Sequence, residues 1–434
     1  MKRNGYLRHM VLSMGTNVAM LVLRLMRNVL LARILGPSER GVFALLNTLP
    51  DLISAFTSGG LNTALGYQAA KQRNMGLLLT QVLVYGCLLA TLLTLLCIVL
   101  ARELGTHLEA TEQLGLLVWL LLAAVPLSVL KVALLTLHNA SGATGTYNAL
   151  RLLESLVPLL LFAGLFFMWR DNALDAAVIS WLCGLGLFAS LGLYWLGRDH
   201  HIALRWDRNG QRELLSYSAK SHPDVLFRQA MLRGDYLLIS AMLGSAQLGH
   251  YAMATAAAEL LFIVPEAVTT PLMKRLLQQE KEMSRLTPLA LRLTSTIMFL
   301  ACLSMAVIGE WLIVTLFGAE YQAAYPALLG LLPGLLGMSH VSILRLDLLG
   351  KQRPGSVSWI MGIGAVMNLV LSLLLIPHYG ILGAAISSSV AYFSVAVMML
   401  TLYCRLSGVS VWSTLVILPS DVRPLLQMLQ RGAA

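Results

Sequence analysis

Residues 34–45 read Ile-Leu-Gly-Pro-Ser-Glu-Arg-Gly-Val-Phe-Ala-Leu, and residues 242–253 read Met-Leu-Gly-Ser-Ala-Gln-Leu-Gly-His-Tyr-Ala-Met. Both contain Leu-Gly-x4-Gly-x-aromatic-Ala, displaced by 208 residues. The same displacement carries Leu174-Asp175-Ala176-Ala177-Val178 onto Leu382-Gly383-Ala384-Ala385-Ile386, Gly142 onto Gly350, and Asp51 onto Glu259. One offset joining separated places predicts a duplicated chain, an organisation common among membrane transporters.

Composition fixes the medium. Hydrophobic residues make up 57% and charged residues 12% of the chain, too apolar for an ordinary soluble domain. About twelve apolar stretches approach the ~20 residues that cross a bilayer. They fall near 10–34, 42–68, 75–100, 113–137, 147–168, 174–197, 222–243, 248–272, 286–316, 324–348, 355–376 and 381–404, the ninth being a tilted helix or a helix plus a re-entrant piece. Lipid offers backbone polar groups no partner, so these are helices, and the period-2 alternation of a barrel is missing. The expected fold is an all-α integral membrane protein of two six-helix lobes. The lobes span 1–197 and 222–405, with a cytoplasmic linker at 198–221 and a cytoplasmic tail at 406–434. With six spans per repeat, the symmetry axis runs along the membrane normal.

The net charge of +10 follows topology. With a cytoplasmic amino terminus, Lys2, Arg3, Arg8, Lys71, Arg73, Arg198, Arg205, Lys274, Arg275, Lys351 and Arg353 lie inside, whereas Glu103, Glu109, Glu112, Asp171, Glu310 and Glu320 lie outside. That is the positive-inside bias, so the basic surplus needs no nucleic acid. Both termini are then cytoplasmic. The five cysteines sit within apolar stretches without paired spacing, as core residues.

Several charges sit at costly depth. A central arginine costs about 2.5–3.5 kcal/mol on translocon scales. Asn17, Arg24, Arg27 and Asn28 share one stripe of the first span. Such a stripe should face the bundle interior or a wet cavity. The second span carries Asn47, Asp51, Ser54 and Ser58 along one face; its counterpart, the eighth, carries Glu259. On the seventh span Arg228 and Asp235 share a face, while Arg233 points elsewhere. Asp51 and Glu259 are read either as neutralising neighbouring arginines or as coupling sites for a proton or sodium. Arg151 and Glu154 are spaced for an intrahelical pair. Lys131, Arg292, Arg345 and Asp347 are placed near cytoplasmic span ends, where they snorkel. Prolines Pro126 and Pro333 predict bends at equivalent places, and Gly330, Gly334 and Gly337 predict close helix contact there.

No Walker phosphate loop, metal-ligand pattern or nucleophile turn occurs, so neither catalytic residues, metal nor cofactor is expected. Clustered arginines suit an anion, because the guanidinium fork matches phosphate oxygens. A polyprenyl-pyrophosphate-linked glycan has such an anionic head, with its tail left in lipid.

The stretch Leu30 to Ala44 resembles the first hairpin of the polysaccharide-exporter branch of the MOP (multidrug/oligosaccharidyl-lipid/polysaccharide) superfamily, which includes Wzx-type flippases. Asp235-Tyr236 with Leu243-Gly244-x4-Gly249-x-Tyr251, Phe317-Gly318-Ala319-Glu320-Tyr321, and Ile376-Pro377-His378-Tyr379-Gly380-Ile381-Leu382-Gly383-Ala384-Ala385 are similar to later signatures. The resemblance implies two lobes around a cationic cavity that alternates between inward-open and outward-open states. It implies that Arg24, Arg27, Arg228 and Arg233, with Asn17 and Asn28, bind the lipid-linked head. Asp51, Asp235, Glu259 and Glu154 then balance charge or couple transport. The expected activity is non-enzymatic: flipping an O-antigen or exopolysaccharide repeat unit to the periplasmic leaflet of a bacterial inner membrane. Membrane lipid, a polymerase and glycosyltransferases are the expected partners. A multidrug antiporter is the alternative within transport, and a membrane polysaccharide polymerase is the alternative outside it.

Overall fold

The computed structural model describes residues 3–70, 74–105, 113–200, 208–266, 280–351 and 353–415. Helices account for nearly all of them. In chain order they are α1 (Arg3–Ala70), α2 (Met75–Gln81), α3 (Leu88–Gly105), α4 (Gln113–Ala140), α5 (Thr144–Met168), α6 (Ala173–His200), α7 (Arg208–Leu243) and α8 (Ser245–Glu259). α9 (Glu280–Phe317), α10 (Tyr325–Gly350), α11 (Pro354–Ser407) and the short α12 (Trp412–Leu415) follow. A π-helical turn, Val82–Cys87, joins α2 to α3 as one span. α9 runs unbroken through the segment for which a re-entrant piece was an option.

Eight of the described helices are long and apolar enough to cross a membrane. α11 crosses twice, because it kinks at Gly380 (φ 57°), three residues after Pro377. α1 kinks in the same manner at Gly36 (φ 66°), immediately before Pro37. Glycine occupies both kinks because a Cβ disfavours positive φ. α1 and α7 are the polar spans, diluted by the buried charges described below. Counting α1 and α11 twice yields the twelve spans expected from the sequence.

The chain divides into two compact units, Met1–Gly249 and His250–Ala434. The sequence sets the division at 198–221, whereas by packing the first unit continues through α7, because α7 lies along α1. The two copies of the repeated motif make that seam. A Cβ on Gly41 would stand 1.8 Å from the Ser245 carbonyl oxygen, and one on Gly249 would stand 1.9 Å from that of Pro37. Ser38 Oγ and Ser245 Oγ are 3.2 Å apart between them. Further along, a Cβ on Gly60 would meet the Ser218 carbonyl at 2.2 Å. There Gly60 N donates to His222 Nδ1 at 3.3 Å, and Ser221 Oγ donates to the Gly60 carbonyl at 3.2 Å. Elsewhere in this unit, Leu65, Leu78, Leu134, Leu137 and Leu150 form an apolar core.

In the second unit the bend at Pro333 has a definite device. Gly334 N donates to Ser389 Oγ at 3.0 Å, and the same hydroxyl donates to the Gly330 carbonyl. Ser389 thus stands between a donor and the acceptor four residues before it, inserted into the helix ladder where proline already breaks it. Gly334 permits the approach, since its Cβ would lie 2.5 Å from Ser389 Cα. Ser389→Ala leaves two buried backbone groups unsatisfied, at about 1–3 kcal/mol each. We expect a clear fall in the detergent melting temperature, whereas Ser304→Ala, on an exposed hydroxyl bonded only along its own helix, leaves it unchanged.

Two expectations of snorkelling are corrected in this unit. Asp347 is buried (1% exposed), accepting from Thr287 Oγ1 at 2.9 Å and pairing with Lys351 Nζ at 2.7 Å. Arg292 is 8% exposed and donates to the Ser413 carbonyl at 2.6 Å. Both have partners in the protein, so neither has to reach for the interface. Arg345 is half-buried. In the tail, Trp412 and Leu415 belong to α12, which packs against α9; residues 416–434 lie outside the described residues.

Candidate functional site

α1 brings two of its faces to one place. Its first half presents Asn17, Arg24 and Arg27; after the hairpin at Gly36 its second half returns with Asp51. α4 and α5 pack against α1 and add Lys131, Arg151 and Glu154. The centre is Lys131, whose Nζ lies 3.7 Å from Asp51 Oδ1 and 3.7 Å from Glu154 Oε1. Arg24 and Arg27 are near enough that both charges repel the Lys131 ammonium. Arg151 Nη1 donates to Asn17 Oδ1 at 2.9 Å, and its guanidinium covers the Tyr147 ring at 5.5 Å.

Two expectations about these residues are overturned. Lys131 is expected near the end of its span, but α4 continues beyond it to Ala140. Its ammonium meets two carboxylates instead of reaching for the interface. Glu154 does not pair with Arg151 one turn earlier. The arginine reaches Asn17 and the glutamate reaches Lys131, because neighbouring helices present better-aimed partners than the shared helix surface.

The electrostatics favour an anion. Among the described residues, Lys131, Arg24 and Arg27 stand with two carboxylates, and Arg151 is held alongside by Asn17, so cations outnumber acids in this cluster. At 3.7 Å the lysine contacts are longer than a good hydrogen bond, so the ammonium is shared rather than locked. The side chain of Lys131 is 16% exposed, that of Asp51 41%, so the pocket of charge is partly open. Arg24 is exposed.

The remaining predicted residues lie in other settings. Asn28 Oδ1 accepts from Arg40 Nη2 at 3.3 Å; Arg40 is 7% exposed and stacks over Phe43. Asn28 therefore braces the hairpin beyond the kink. On α7, Arg233 donates to the Tyr236 hydroxyl at 3.3 Å with its guanidinium over that ring. Asp235 is 2% exposed and accepts from the Tyr236 backbone N–H at 2.9 Å. Arg228 is half-buried on the same helix. Glu259 is exposed where α8 passes into the 3-10 turn Leu260–Phe262, within the second unit. Among the described residues no group of three or more His, Cys, Asp or Glu could hold a metal ion.

The fold is shared with known transporters. An inward-closed lipid II flippase MurJ superposes with a TM-score of 0.71 at 15% identity, covering 91% of this chain and 87% of that one. An inward-facing multidrug resistance MATE transporter of the MOP superfamily gives 0.67 at 14% identity, covering 90% and 95%. A Vibrio cholerae MATE transporter gives 0.61 at 15%, covering 92% and 98%. In sequence the chain is 22% identical over 371 residues to a probable low-salt glycan biosynthesis flippase, Agl15, of Haloferax volcanii, covering 83% of this chain and 75% of that protein. Residues 30–326, which hold the hairpin motif, its repeat, Asp51, Lys131 and Glu154, match a family model described as polysaccharide biosynthesis protein; the chain belongs to that family.

Proposed function

We propose that the protein is a flippase that moves a polyprenyl-pyrophosphate-linked oligosaccharide from the cytoplasmic to the periplasmic leaflet by alternating access. The observation that carries this reading is the basic surplus around Lys131 inside the apolar first unit. Pyrophosphate is the part of such a cargo that needs desolvated cations, and arginine holds it through paired donors. Arg24 and Arg27 contact the phosphates, Asn17 sets the orientation of Arg151, and Arg228 and Arg233 supply cations from α7. Asp51 and Glu154 balance charge when the site is empty, with Asp235 and Glu259 in the same role elsewhere. The glycan flippase among the relatives supports this assignment. An antiporter for cationic drugs would need the opposite sign of charge.

The setting proposed is a bacterial inner membrane with both termini cytoplasmic, a topology that the distribution of basic residues supports. An inside-negative potential drives negative charge outward by about 2.3 kcal/mol per charge per 100 mV, so no nucleotide is needed. The cargo is an O-antigen or exopolysaccharide unit, delivered by glycosyltransferases and taken up by a polymerase. In a deletion strain, surface glycan should be lost while lipid-linked precursor accumulates on the inner leaflet. Arg24→Ala and Arg27→Ala, expressed at wild-type level, should each fail to restore export by tenfold or more. Full restoration by both variants overturns their role.

A further inference from the structure

A cavity of 690 Å³ lies within the second unit between α9, α10 and the second half of α11, remote in sequence from the Lys131 cluster. Its size is that of a small-molecule site, about 300–1,000 Å³. Leu336, Phe393, Ala396 and Leu400 make most of its wall. Four lining residues are polar, and each is already satisfied within the protein. Ser295 Oγ meets His340 Nε2 at 2.6 Å, and His340 Nδ1 meets the Leu336 carbonyl at 2.8 Å. The Thr296 and Thr401 hydroxyls donate to the carbonyls of Arg292 and Val397 on their own helices. No lining donor is left free and the wall is otherwise apolar, which suits a hydrocarbon occupant.

The mouth is of a different kind. Phe299, Phe393 and Val397 are 58%, 51% and 48% exposed, facing the bilayer. Arg405 follows Thr401 by one turn on the same face of α11, in its last turn, and is exposed. After Gly408 the chain turns back, placing Val411 in the cavity wall and Trp412, 77% exposed, beside it. An exposed tryptophan and an arginine mark headgroup depth, and on the topology proposed above this is the cytoplasmic leaflet. A cation at headgroup level over a hydrocarbon slot has the complementarity of one molecule type.

We propose that this cavity is a binding site for an anionic diacyl phospholipid of the cytoplasmic leaflet, one acyl chain entering between α9 and α11 and the phosphate meeting Arg405. The cavity lies in the second unit and the Lys131 cluster in the first, and the proposal stands whether or not the flippase reading holds; only its leaflet rests on that reading.

The test uses full-length protein in nanodiscs of equimolar phosphatidylglycerol and phosphatidylcholine, with retained lipid counted by native mass spectrometry. A single surface cation contributes about 1 kcal/mol toward an anionic lipid, so retention of phosphatidylglycerol should exceed that of phosphatidylcholine about fivefold. Arg405→Gln should bring the two to parity. Ala396→Phe, which fills the slot, should lower retention of both; Val397→Phe, at the mouth, is the second variant should the first fail to fold. Equal retention by the wild type, an unchanged preference in Arg405→Gln, or unchanged retention in a folded slot-filled variant overturns the proposal. Preferential retention of a polyprenyl phosphate added to the same discs overturns it in favour of the cargo's tail.

Discussion

Gly41→Ala should lower the melting temperature sharply and abolish glycan export, although the change adds one methyl group. The new Cβ would stand 1.8 Å from the Ser245 carbonyl oxygen and 2.8 Å from Gly249 N, all backbone atoms that cannot rotate away. α1 and α8 must separate at this point, and the reciprocal contact of Gly249 on Pro37 is lost with it. Overpacking in cores costs about 1–3 kcal/mol where side chains can yield, and a carbonyl that cannot yield puts this case at or above the upper end. Gly249→Ala should match it. Gly186→Ala is the control: nothing lies within 4 Å of its would-be Cβ, and alanine favours the helix by roughly 0.5–1 kcal/mol. The measurement is thermal unfolding in detergent beside complementation of the deletion strain. A wild-type melting curve for Gly41→Ala would falsify the seam as drawn.

The same glycines show what a sequence can and cannot disclose. Their recurrence at one offset exposes the duplication, and the apolar stretches read along the chain number about twelve. What the glycines do is not legible, because Gly41 and Gly249 owe their smallness to each other's helices across the repeat. Register failed in a similar way at α4. Ending the fourth span a few residues early makes Lys131 a snorkelling cation, so Asp51 is matched with arginines instead of the lysine that meets it. The charges on α1 were readable because guanidinium groups in an apolar run are costly wherever they point. Arg151 and Glu154, by contrast, satisfied a local rule for pairing that long-range partners overrode. Ser389 offers no signal at all: a serine in an apolar helix gains its meaning only from the proline bend on α10 that it bridges.

Lys131→Met separates the two readings of the central lysine by the sign of its effect. A lysine with no partner at mid-span costs about 2.5–3.5 kcal/mol, so a methionine there should stabilise the protein. A lysine shared by Asp51 and Glu154 does the opposite, since its removal leaves two carboxylates repelling one another in a partly closed site. Breaking a buried pair costs about 3–5 kcal/mol; the 41% and 25% exposure of the carboxylates admits water, and we expect roughly 1–3 kcal/mol of destabilisation. Adding Asp51→Asn and Glu154→Gln to Lys131→Met should restore only part of the lost stability, because the carboxylate repulsion goes but Arg24, Arg27 and Arg151 lose their counter-charges, and the cycle isolates the coupling. Export should not return with it. The triple variant keeps Arg24, Arg27 and Arg151 but has lost the mobile ammonium that can turn from carboxylate to phosphate. A stable triple variant that exports glycan at the wild-type rate would reduce Lys131 to a counterion and leave the arginines alone to hold the cargo.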